Sequence, residues 1–345
     1  MVDIDIRIEG KIGRITLNRP KAMNALTYEM CLQIETALDA WRDAAAVKLI
    51  LIDATGDRAF CAGGDIADMY ASGLRGDYEY GRKFWRDEYR MNAKIFTYPK
   101  PVISMMQGFT MGGGVGVGCH GSHRIVDESS QIAMPECGIG LVPDVGGSMI
   151  LANAPGRLGE YIGTTGIRLG AEDAIFAGFA DCFVAKNEWP ALVSGLIETG
   201  DLNLIKAAST IPNGGILKPQ LADINNYFSG DTLANVVQSL TASNSDFAAK
   251  SLKFLKRNAP LSMGCTVEMV HRLRSCKDIR TALEMEYRFT HRSMQHADFI
   301  EGIRAAIIDK DRKPKWKHSL ADNITKDVAN MLMPLGADTL EFKEN

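Results

Sequence analysis

We predict that the chain has an α/β fold, a coiled stack of repeated β-β-α units followed by a helical C-terminal region. Two observations predict it. Short apolar runs typical of strands occur in pairs, and each pair is followed by a stretch whose apolar residues have helical spacing. After about residue 200 the strand-like runs stop and helical stretches continue. Simple βαβ winding fits this order less well.

The first elements are a hairpin and a helix. Ile4, Ile6 and Ile8 alternate with polar residues, and a second alternating run follows the Gly10–Gly13 turn. This arrangement is typical of two antiparallel strands. A helix is predicted from Thr27 onward, because apolar residues recur there at spacings of three and four, namely Met30, Ile34, Leu38 and Trp41.

The middle of the chain repeats a pattern of strand, glycine-rich turn and helix. The first repeat ends in the turn Phe60–Asp65 and the helical stretch Tyr78–Phe96, and the second ends in the turn Gly108–Gly114 and a short helix of small residues. The predicted strands of this part are Lys48–Asp53, Pro101–Met106, Arg124–Val126 and Gln131–Met134.

Helices account for most of the remaining sequence. We predict a spiral core over residues 1–200, which carries the active site, and a helical C-terminal region over residues 201–345. A chain of 345 residues suits one larger and one smaller domain. Pro212–Gly215 is the most linker-like stretch. The predicted C-terminal helices are Pro219–Phe228, Thr232–Leu240, Asp246–Lys256 and Asp278–His296.

Composition limits the partners. The net charge of −3 provides no overall basic field for nucleic acid, and no run approaches the roughly 20 apolar residues of a membrane helix. We therefore expect neither nucleic acid nor a membrane as partner. The seven cysteines are scattered and form no Cys-x-x-Cys pair, and the first residues enter a strand pattern without a leader sequence. A cytoplasmic location is expected.

The two glycine-rich turns are candidate sites for a ligand oxygen. Phe60–Asp65 and Met111–Gly114 each follow a strand and precede a helix. Glycines there allow the backbone to approach a ligand, and the first N–H groups of a helix lack partners. Two such donors meeting at one point form an oxyanion hole, in which one donor contributes roughly 3–4 kcal/mol. A single turn would favour tight packing as the explanation, but two in successive units favour a ligand.

Three carboxylates are candidates for the chemistry. Glu136 and Asp144 lie eight residues apart, joined by a loop of glycine, proline and small apolar residues. In an apolar pocket two carboxylates shift each other's pKa, which suits acid–base or nucleophilic work. A surface Glu136 with Asp144 as a helix cap is equally compatible with the local sequence. Glu88 lies in a charge-rich helix and, taken alone, indicates a solvated face.

Other chemistries are disfavoured. No Gly-x-Ser-x-Gly nucleophile elbow occurs. His120 and His123 have no third ligand nearby, so no metal site is expected. Cys61 and Cys137 have no histidine close in sequence and are interpreted as packing residues. Gly116–Gly121 matches the dinucleotide fingerprint, but its glycines fall inside a predicted helix and not in a strand-to-helix turn.

Motifs along nearly the whole chain carry a resemblance. Asn18–Leu26, Phe60–Asp65 and Gly108–Gly118 resemble the signatures of the enoyl-CoA hydratase/isomerase (crotonase) superfamily. The sequence is more closely similar to its 3-hydroxyisobutyryl-CoA hydrolase branch, and the match is weakest between about residues 185 and 255. The motifs of that branch are Met111–Gly116, Met134–Glu136, Pro143–Gly147, Glu301–Ala305, Ile308–Asp311 and Pro314–Trp316.

The resemblance implies roles for individual residues. The amides of Gly64 and Gly113 would form the oxyanion hole for a thioester carbonyl. Glu136 and Asp144 would be the catalytic pair, and Glu88 would contact the substrate. The CoA group would be bound near Lys21, Ala22 and Asn24 and by the backbone of Ala62, assisted by the basic tail residues Lys310, Lys313, Lys315 and Lys317.

The resemblance also implies hydrolysis. Hydratases of the superfamily carry a glutamate on the helix after the second glycine turn, where this sequence has Gly116. The implied reaction converts 3-hydroxyisobutyryl-CoA and water into 3-hydroxyisobutyrate and CoA, a step of valine catabolism. No cofactor is expected, because CoA is part of the substrate, and a homo-oligomer is possible.

Two alternatives stay open. One is an enoyl-CoA hydratase or isomerase that uses Glu136 alone. The other is a protein that binds CoA without turnover and assembles with partners through its helical region, although the intact carboxylates disfavour it. The preferred acyl group also stays open, as does the choice between a covalent anhydride and general-base catalysis.

Overall fold

The computed structural model describes residues 2–342. Its strands form a large and a small sheet, and the alternation of strands and helices confirms the predicted α/β class. The strands are β1 Ile4–Glu9, β2 Ile12–Leu17, β3 Leu49–Ala54, β4 Ala59–Cys61, β5 Val102–Met106, β6 Phe109–Met111, β7 His123–Val126, β8 Gln131–Ala133 and β9 Cys182–Phe183.

The helices continue to the end of the described chain. Short 3-10 turns occur at Pro20–Ala22, Glu136–Ile139, Lys186–Glu188 and Gly336–Asp338, and a π-helical turn at Arg304–Ile308. The α-helices are α1 Tyr28–Trp41, α2 Ala67–Leu74, α3 Glu79–Phe96, α4 Gly113–Gly118, α5 Gly147–Asn153, α6 Leu158–Thr165, α7 Ala171–Phe176, α8 Trp189–Thr199, α9 Asn203–Ala208, α10 Leu217–Tyr227, α11 Leu233–Thr241, α12 Asp246–Leu255, α13 Pro260–Arg272, α14 Ile279–His296, α15 Phe299–Ile303 and α16 Thr325–Met331.

The strand order confirms the repeated β-β-α units. The large sheet has the order β1-β2-β3-β5-β7-β9, and the small sheet has the order β4-β6-β8. β1 and β2 are antiparallel, and the other pairs are parallel. In three successive pairs the first strand joins the large sheet and the second joins the small one. Each of these three units therefore adds one strand to each sheet.

The N-terminal hairpin and helix α1 follow the predicted pattern. Ile4 pairs with Leu17 in the antiparallel register of β1 and β2. The Thr27 side chain caps α1 by accepting a hydrogen bond from the Met30 N–H at 3.2 Å. A Cβ at Gly13 would lie 2.4 Å from the Trp41 ring, so the absence of a side chain lets α1 pack closely on β2. The predicted helix face, Met30, Ile34, Leu38 and Trp41, is buried.

Two of the differences between the prediction and the structure have a clear physical cause. The stretch Gly108–Gly114 is not a simple turn, because it contains strand β6, a run too short to show alternation. Helix α13, Pro260–Arg272, is absent from the predicted helices. Nearly all of its residues are buried, so it lacks the one-sided apolar pattern on which the other predictions depend.

The described residues group into two compact units. The first comprises the residues up to Asp65, Arg90–Ala133 and Arg168–Lys218. It contains both sheets, whose core includes Leu49, Leu51, Ile103 and Ile125. The second comprises Ile66–Tyr89, Met134–Ile167 and the described residues from Pro219 onward, and it is helical.

The predicted helical C-terminal region is helical as far as it is described. Between residues 201 and 342 no further strand occurs after β9. The predicted division into residues 1–200 and 201–345 stays a prediction, because the two compact units are built from alternating segments. Residues 343–345 at its end lie outside the described residues. No helix within residues 2–342 has the length and apolarity to cross a membrane.

Candidate active site

The first glycine-rich turn follows β4 and is tied to the segment before α1. Leu26 donates its N–H to the Gly63 carbonyl at 2.9 Å, and Asp65 donates its N–H to the Leu26 carbonyl at 2.8 Å. Gly63 has a φ of 121°, a conformation that side chains disfavour. Between these two bonds, the N–H of Gly64 donates to no acceptor within the described chain.

The second glycine-rich turn leads from β6 into helix α4. Gly112 has φ 49° and ψ −120°, which suits glycine and directs the chain into the helix. Gly113 is the first helical residue and is buried. Its N–H has no partner in the helix, as expected for a first turn, and donates to no other acceptor among residues 2–342.

The structure brings the two turns together. β4 and β6 are parallel neighbours, with Cys61 opposite Thr110. A Cβ added to Gly114 would lie 2.1 Å from the Cys61 carbonyl oxygen. The first turn of α4 therefore rests directly on the end of β4, and a side chain at Gly114 would separate them. The backbone N–H groups of Gly64 and Gly113, for which residues 2–342 provide no acceptor, belong to these adjoining turns.

Glu136 and Asp144 are both buried in a packed loop. Glu136 opens the 3-10 turn Glu136–Ile139, and each of the two acids is 4% exposed. A Cβ on Gly302 would lie 2.0 Å from the Ile139 carbonyl oxygen, so α15 packs tightly on this segment. The N-cap residue of α5 is Gly146 and not Asp144, and no N-cap side chain bonds to the first turn of this helix. The interpretation of a surface Glu136 beside a capping Asp144 is therefore wrong.

Glu136 has an unsatisfied carboxyl oxygen. Within the described residues, its buried Oε2 atom has no hydrogen-bond partner. Burial raises the pKa of Glu136 well above its usual range, and the charge of Asp144 raises it further. Buried polar atoms without partners are uncommon and often mark a place where substrate or water binds. Glu136 is thus suited to exchange a proton or to attack a bound group.

Asp144 is held by a tyrosine. The Tyr89 hydroxyl donates a hydrogen bond to Asp144 Oδ2 at 2.7 Å. Burial raises the pKa of Asp144 to about 7, although the Tyr89 hydrogen bond acts in the opposite direction. Asp144 therefore changes its charge near neutral pH, which suits a group that orients a water molecule or hydroxyl.

Glu88 is buried, contrary to the local sequence interpretation. It lies on α3 and is 3% exposed, and its Oε1 atom has no hydrogen-bond partner among the described residues. Burial, followed by the charge of Asp144, raises the pKa of Glu88 well above its usual range. The interpretation as a solvated face is wrong, because the charged neighbours of Glu88 occupy other faces of the same helix. Its contact with substrate stays a prediction.

Sequence reasoning missed a fourth buried acid, Glu286 on α14. It is fully buried, and its Oε2 atom accepts a hydrogen bond from the Gly146 N–H at 2.8 Å. Its Oε1 atom accepts from the Ser148 N–H at 3.1 Å and from the Ser148 hydroxyl. Burial raises the pKa of Glu286 to about 8. No local signal marks it, because it follows Asp144 by more than a hundred residues in another charge-rich helix.

The residues predicted to bind CoA divide into exposed and structural positions. Lys21 and Ala22 are exposed in the turn Pro20–Ala22. Asn24 is 1% exposed, and its amide group donates to the carbonyls of Thr55 and Ala59 at 3.0 and 2.9 Å. The Asn24 side chain therefore supports the loop that carries Lys21. A direct role of Asn24 in CoA binding stays a prediction.

One of the two backbone polar groups of Ala62 already has a hydrogen-bond partner. Its N–H donates to the Met23 carbonyl at 3.0 Å, which leaves its carbonyl as the group able to accept from a ligand. The basic tail residues named above, Lys310, Lys313, Lys315 and Lys317, are all exposed.

The positions that suggest other chemistry have structural explanations. Gly116 and Gly118 lie inside α4, and a Cβ on Gly118 would lie 2.7 Å from the Met106 sulfur, so Gly118 serves packing. Burial raises the pKa of the Cys137 thiol to about 12, which disfavours a thiolate nucleophile. His120 is buried and lies edge-on to Phe96 at 6.2 Å between ring centroids. Across residues 2–342 no three metal-binding side chains cluster.

The second unit thus concentrates carboxyl groups that cannot all be charged. Glu88, Glu136 and Asp144 are all buried, and each of their pKa values is raised. Like charges in a poorly solvated site disfavour simultaneous ionisation, so the three groups are not all charged at once. Such a cluster can supply both an acid and a base at one pH.

Comparison with known proteins identifies the family. Residues 12–333 match the family described as enoyl-CoA hydratase/isomerase. The mitochondrial 3-hydroxyisobutyryl-CoA hydrolase of Gallus gallus is 36% identical over 352 residues, which cover 99% of this chain and 91% of that protein.

Two solved structures are similar over their whole length. One, described as an enoyl-CoA hydratase from Rhodobacter sphaeroides 2.4.1, is 51% identical, has a TM-score of 0.92, and covers 99% of this chain and 100% of its own. The other, described as a carnitinyl-CoA dehydratase from Mycobacterium thermoresistibile, is 37% identical with a TM-score of 0.94 and full coverage of both chains, 100% of each. The chain therefore belongs to the enoyl-CoA hydratase/isomerase (crotonase) superfamily, in the branch that contains the 3-hydroxyisobutyryl-CoA hydrolases.

Proposed function

We propose that the protein is an acyl-CoA thioester hydrolase that converts 3-hydroxyisobutyryl-CoA and water into 3-hydroxyisobutyrate and CoA. The buried pair Glu136 and Asp144 carries the proposal, because Glu136 has a carboxyl oxygen without a partner in the described chain and Asp144 is held by Tyr89. The similarity to a 3-hydroxyisobutyryl-CoA hydrolase supports the choice of substrate.

The proposed mechanism begins with the thioester oxygen. It accepts hydrogen bonds from the N–H groups of Gly64 and Gly113, which stabilises the negative charge that develops on it. The Glu136 carboxylate attacks the thioester carbon, the carbon–sulfur bond breaks, and the CoA thiolate leaves and takes up a proton. Water then hydrolyses the resulting anhydride. In the alternative route Glu136 removes a proton from the attacking water. Asp144 orients the water or the substrate hydroxyl.

Heavy-oxygen water distinguishes the two routes. A single turnover in H2¹⁸O, with enzyme in excess, is followed by mass spectrometry of the peptide that contains Glu136. Label in Glu136 supports the anhydride, because water that attacks the thioester directly carries its label only into 3-hydroxyisobutyrate. Full thioesterase activity in Glu136→Gln would contradict both routes.

A second candidate function is enoyl-CoA hydration. It is favoured by the 51% identity to the structure described as an enoyl-CoA hydratase. Against it stands Gly116, which is buried in α4 and offers no acid where hydratases of the superfamily carry a glutamate. Loss of the enoyl absorbance of crotonyl-CoA, compared with thiol release from 3-hydroxyisobutyryl-CoA, decides between them.

The CoA moiety is proposed to contact Lys21, Ala22 and the backbone of Ala62, and the acyl group to contact Glu88. The exposure of Lys21 supports its role. Lys21→Ala should raise KM for the CoA thioester and leave KM for the matching N-acetylcysteamine thioester unchanged, because the truncated substrate lacks the phosphates. An equal KM change with both substrates would contradict this assignment.

No cofactor is proposed beyond the CoA of the substrate, and the protein is proposed to form homo-oligomers. Activity that survives dialysis against a chelator would support the first statement, and loss of activity restored by a metal would contradict it. Light scattering tests the second, since a monomer mass at assay concentration would contradict it.

A cytoplasmic location is proposed. No disulfide joins the seven cysteines within residues 2–342, and five of them are buried, which suits a reducing compartment. The Gallus gallus relative is named as a mitochondrial protein, so the compartment needs a direct test. Cell fractionation followed by immunoblotting would contradict the proposal if the protein sediments with an organelle.

A further inference from the structure

We propose that Glu286 and its helix α14 position Asp144 for the reaction, holding its backbone through Gly146 and Ser148 and its side chain through Tyr89. The inference rests on the proposed hydrolase function. Glu286 does not touch the substrate in this account, and it acts through the turn that follows Asp144.

The turn after Asp144 has a conformation that needs external support. Val145 has a φ of 53° and is 1% exposed, and Gly146 has a φ of 81°. A β-branched residue at positive φ is a genuine outlier, and such residues persist where the surroundings fix them. Gly147 donates its N–H to the Asp144 carbonyl at 2.7 Å, which closes the turn from within.

Glu286 supplies the external support. Its Oε2 atom accepts from the Gly146 N–H at 2.8 Å, and its Oε1 atom accepts from the Ser148 N–H at 3.1 Å and from the Ser148 hydroxyl. These N–H groups lie at the start of α5, where the helix provides no acceptors for them. Both carboxyl oxygens therefore accept hydrogen bonds from the two residues that flank Gly147. These bonds fix the path of the backbone beyond Asp144.

The same helix also fixes the side chain of Asp144. Tyr89, which donates to Asp144 Oδ2 at 2.7 Å, is fully buried. Its ring lies edge-on to that of Tyr287, with 6.3 Å between centroids, and its hydroxyl lies 3.5 Å from Thr290 Oγ1. The residues that contact Gly146 and Tyr89 lie on the buried side of α14, namely Glu286, Tyr287 and Thr290. One rigid helix thus holds both the backbone and the carboxyl group of Asp144.

Glu286→Gln is the direct perturbation. Glutamine has nearly the same size, but its Nε2 atom cannot accept, so either the Gly146 N–H or the Ser148 N–H loses its partner. Displacement of a reacting group by about 1 Å costs up to about 100-fold in rate, so we expect kcat for thioester hydrolysis to fall by about 10- to 100-fold. KM should change by less than about threefold, because the proposed CoA contacts at Lys21, Ala22 and the backbone of Ala62 are untouched.

Asp173→Asn is the matched control. Asp173 is also a buried acid, and it accepts from the N–H groups of Ile216 and Leu217 at 3.0 and 2.9 Å at the start of α10. Its substitution weakens a carboxylate helix cap of the same kind in the first unit. We expect its kcat to stay within about twofold of wild type, whatever happens to its thermal unfolding midpoint.

The experiment combines kinetics with hydrogen exchange. Wild-type thiol release from 3-hydroxyisobutyryl-CoA is measured first, and its absence would contradict the proposed function, separately from the role of Glu286. Glu286→Gln should then lower kcat and speed amide exchange in the peptide spanning residues 144–149. In the Asp144→Asn background, the same substitution should change kcat by less than about threefold. The inference is overturned if folded Glu286→Gln keeps wild-type kcat or exchange, if its effect is undiminished in the Asp144→Asn background, or if Asp173→Asn loses kcat equally.

Discussion

Tyr89→Phe tests how the site sets the charge of Asp144. The substitution removes one hydroxyl, which donates to Asp144 Oδ2 at 2.7 Å in the fully buried site. A hydrogen bond to a charged group contributes about 1.5–3 kcal/mol, and one pKa unit corresponds to about 1.4 kcal/mol. Loss of the donor disfavours the charged form, so the pKa of Asp144 should rise from about 7 by about 1–2 units.

This shift has a defined kinetic consequence. If the reaction needs ionised Asp144, the active fraction at pH 7 falls from about one half to between about 10% and 1%. The value of kcat/KM for 3-hydroxyisobutyryl-CoA at pH 7 should therefore fall by about 5- to 50-fold, whereas at pH 9 it should recover to within about twofold of wild type.

The assay is thiol release from pH 5 to 9, corrected for uncatalysed thioester hydrolysis. Tyr98→Phe serves as the control, because the Tyr98 hydroxyl donates its hydrogen bond to the Leu38 carbonyl at 2.6 Å and not to Asp144. Parallel pH profiles for wild type and Tyr89→Phe would show that Tyr89 does not set the pKa of Asp144, as would an equal shift in Tyr98→Phe.

Three further predictions follow from the site. Glu136→Gln should slow CoA release by about 10²- to 10⁴-fold, because an amide is neither nucleophile nor base, and release at the wild-type rate would contradict its role. Gly114→Ala should destabilise the fold by about 1–3 kcal/mol in urea unfolding, because its Cβ would meet the Cys61 carbonyl oxygen at 2.1 Å, and an unchanged midpoint would contradict the packing of the two turns. Because the pKa of Asp144 is raised to about 7, its contribution to the free energy of unfolding is complete at low pH and is lost as the pH rises from about 4 to 7. Asp144→Asn should therefore remove up to about 4 kcal/mol of that decline in the free energy of unfolding. An identical decline in the variant would contradict the raised pKa.

The sequence predicts the sheets and the glycine turns well, because their signals are local. Ile4, Ile6 and Ile8 show the alternation of a strand, and Thr27 precedes a clear helical stripe. The two turns are recognisable since glycine is required where α4 meets β4, as the contact at Gly114 shows.

The acids of the second unit are harder to predict, because their burial depends on distant segments. Glu88 sits among charged residues, and only the packing of α3 shows that it faces inward. Glu286 and Tyr89 carry no local pattern, yet both hold the segment around Asp144. Helix α13 cannot be predicted locally for the related reason that burial on nearly all sides removes its amphipathic period.

The proposed function requires that this chain hydrolyses a thioester and does not hydrate an enoyl group. The most direct measurement offers purified protein 3-hydroxyisobutyryl-CoA and crotonyl-CoA side by side, with thiol release and loss of enoyl absorbance recorded for each. We expect rapid thiol release from 3-hydroxyisobutyryl-CoA, slowed about 100-fold or more in Glu136→Gln, and no matching loss of enoyl absorbance with crotonyl-CoA. Hydration of crotonyl-CoA without thiol release from 3-hydroxyisobutyryl-CoA would show that the protein is a hydratase and not a hydrolase.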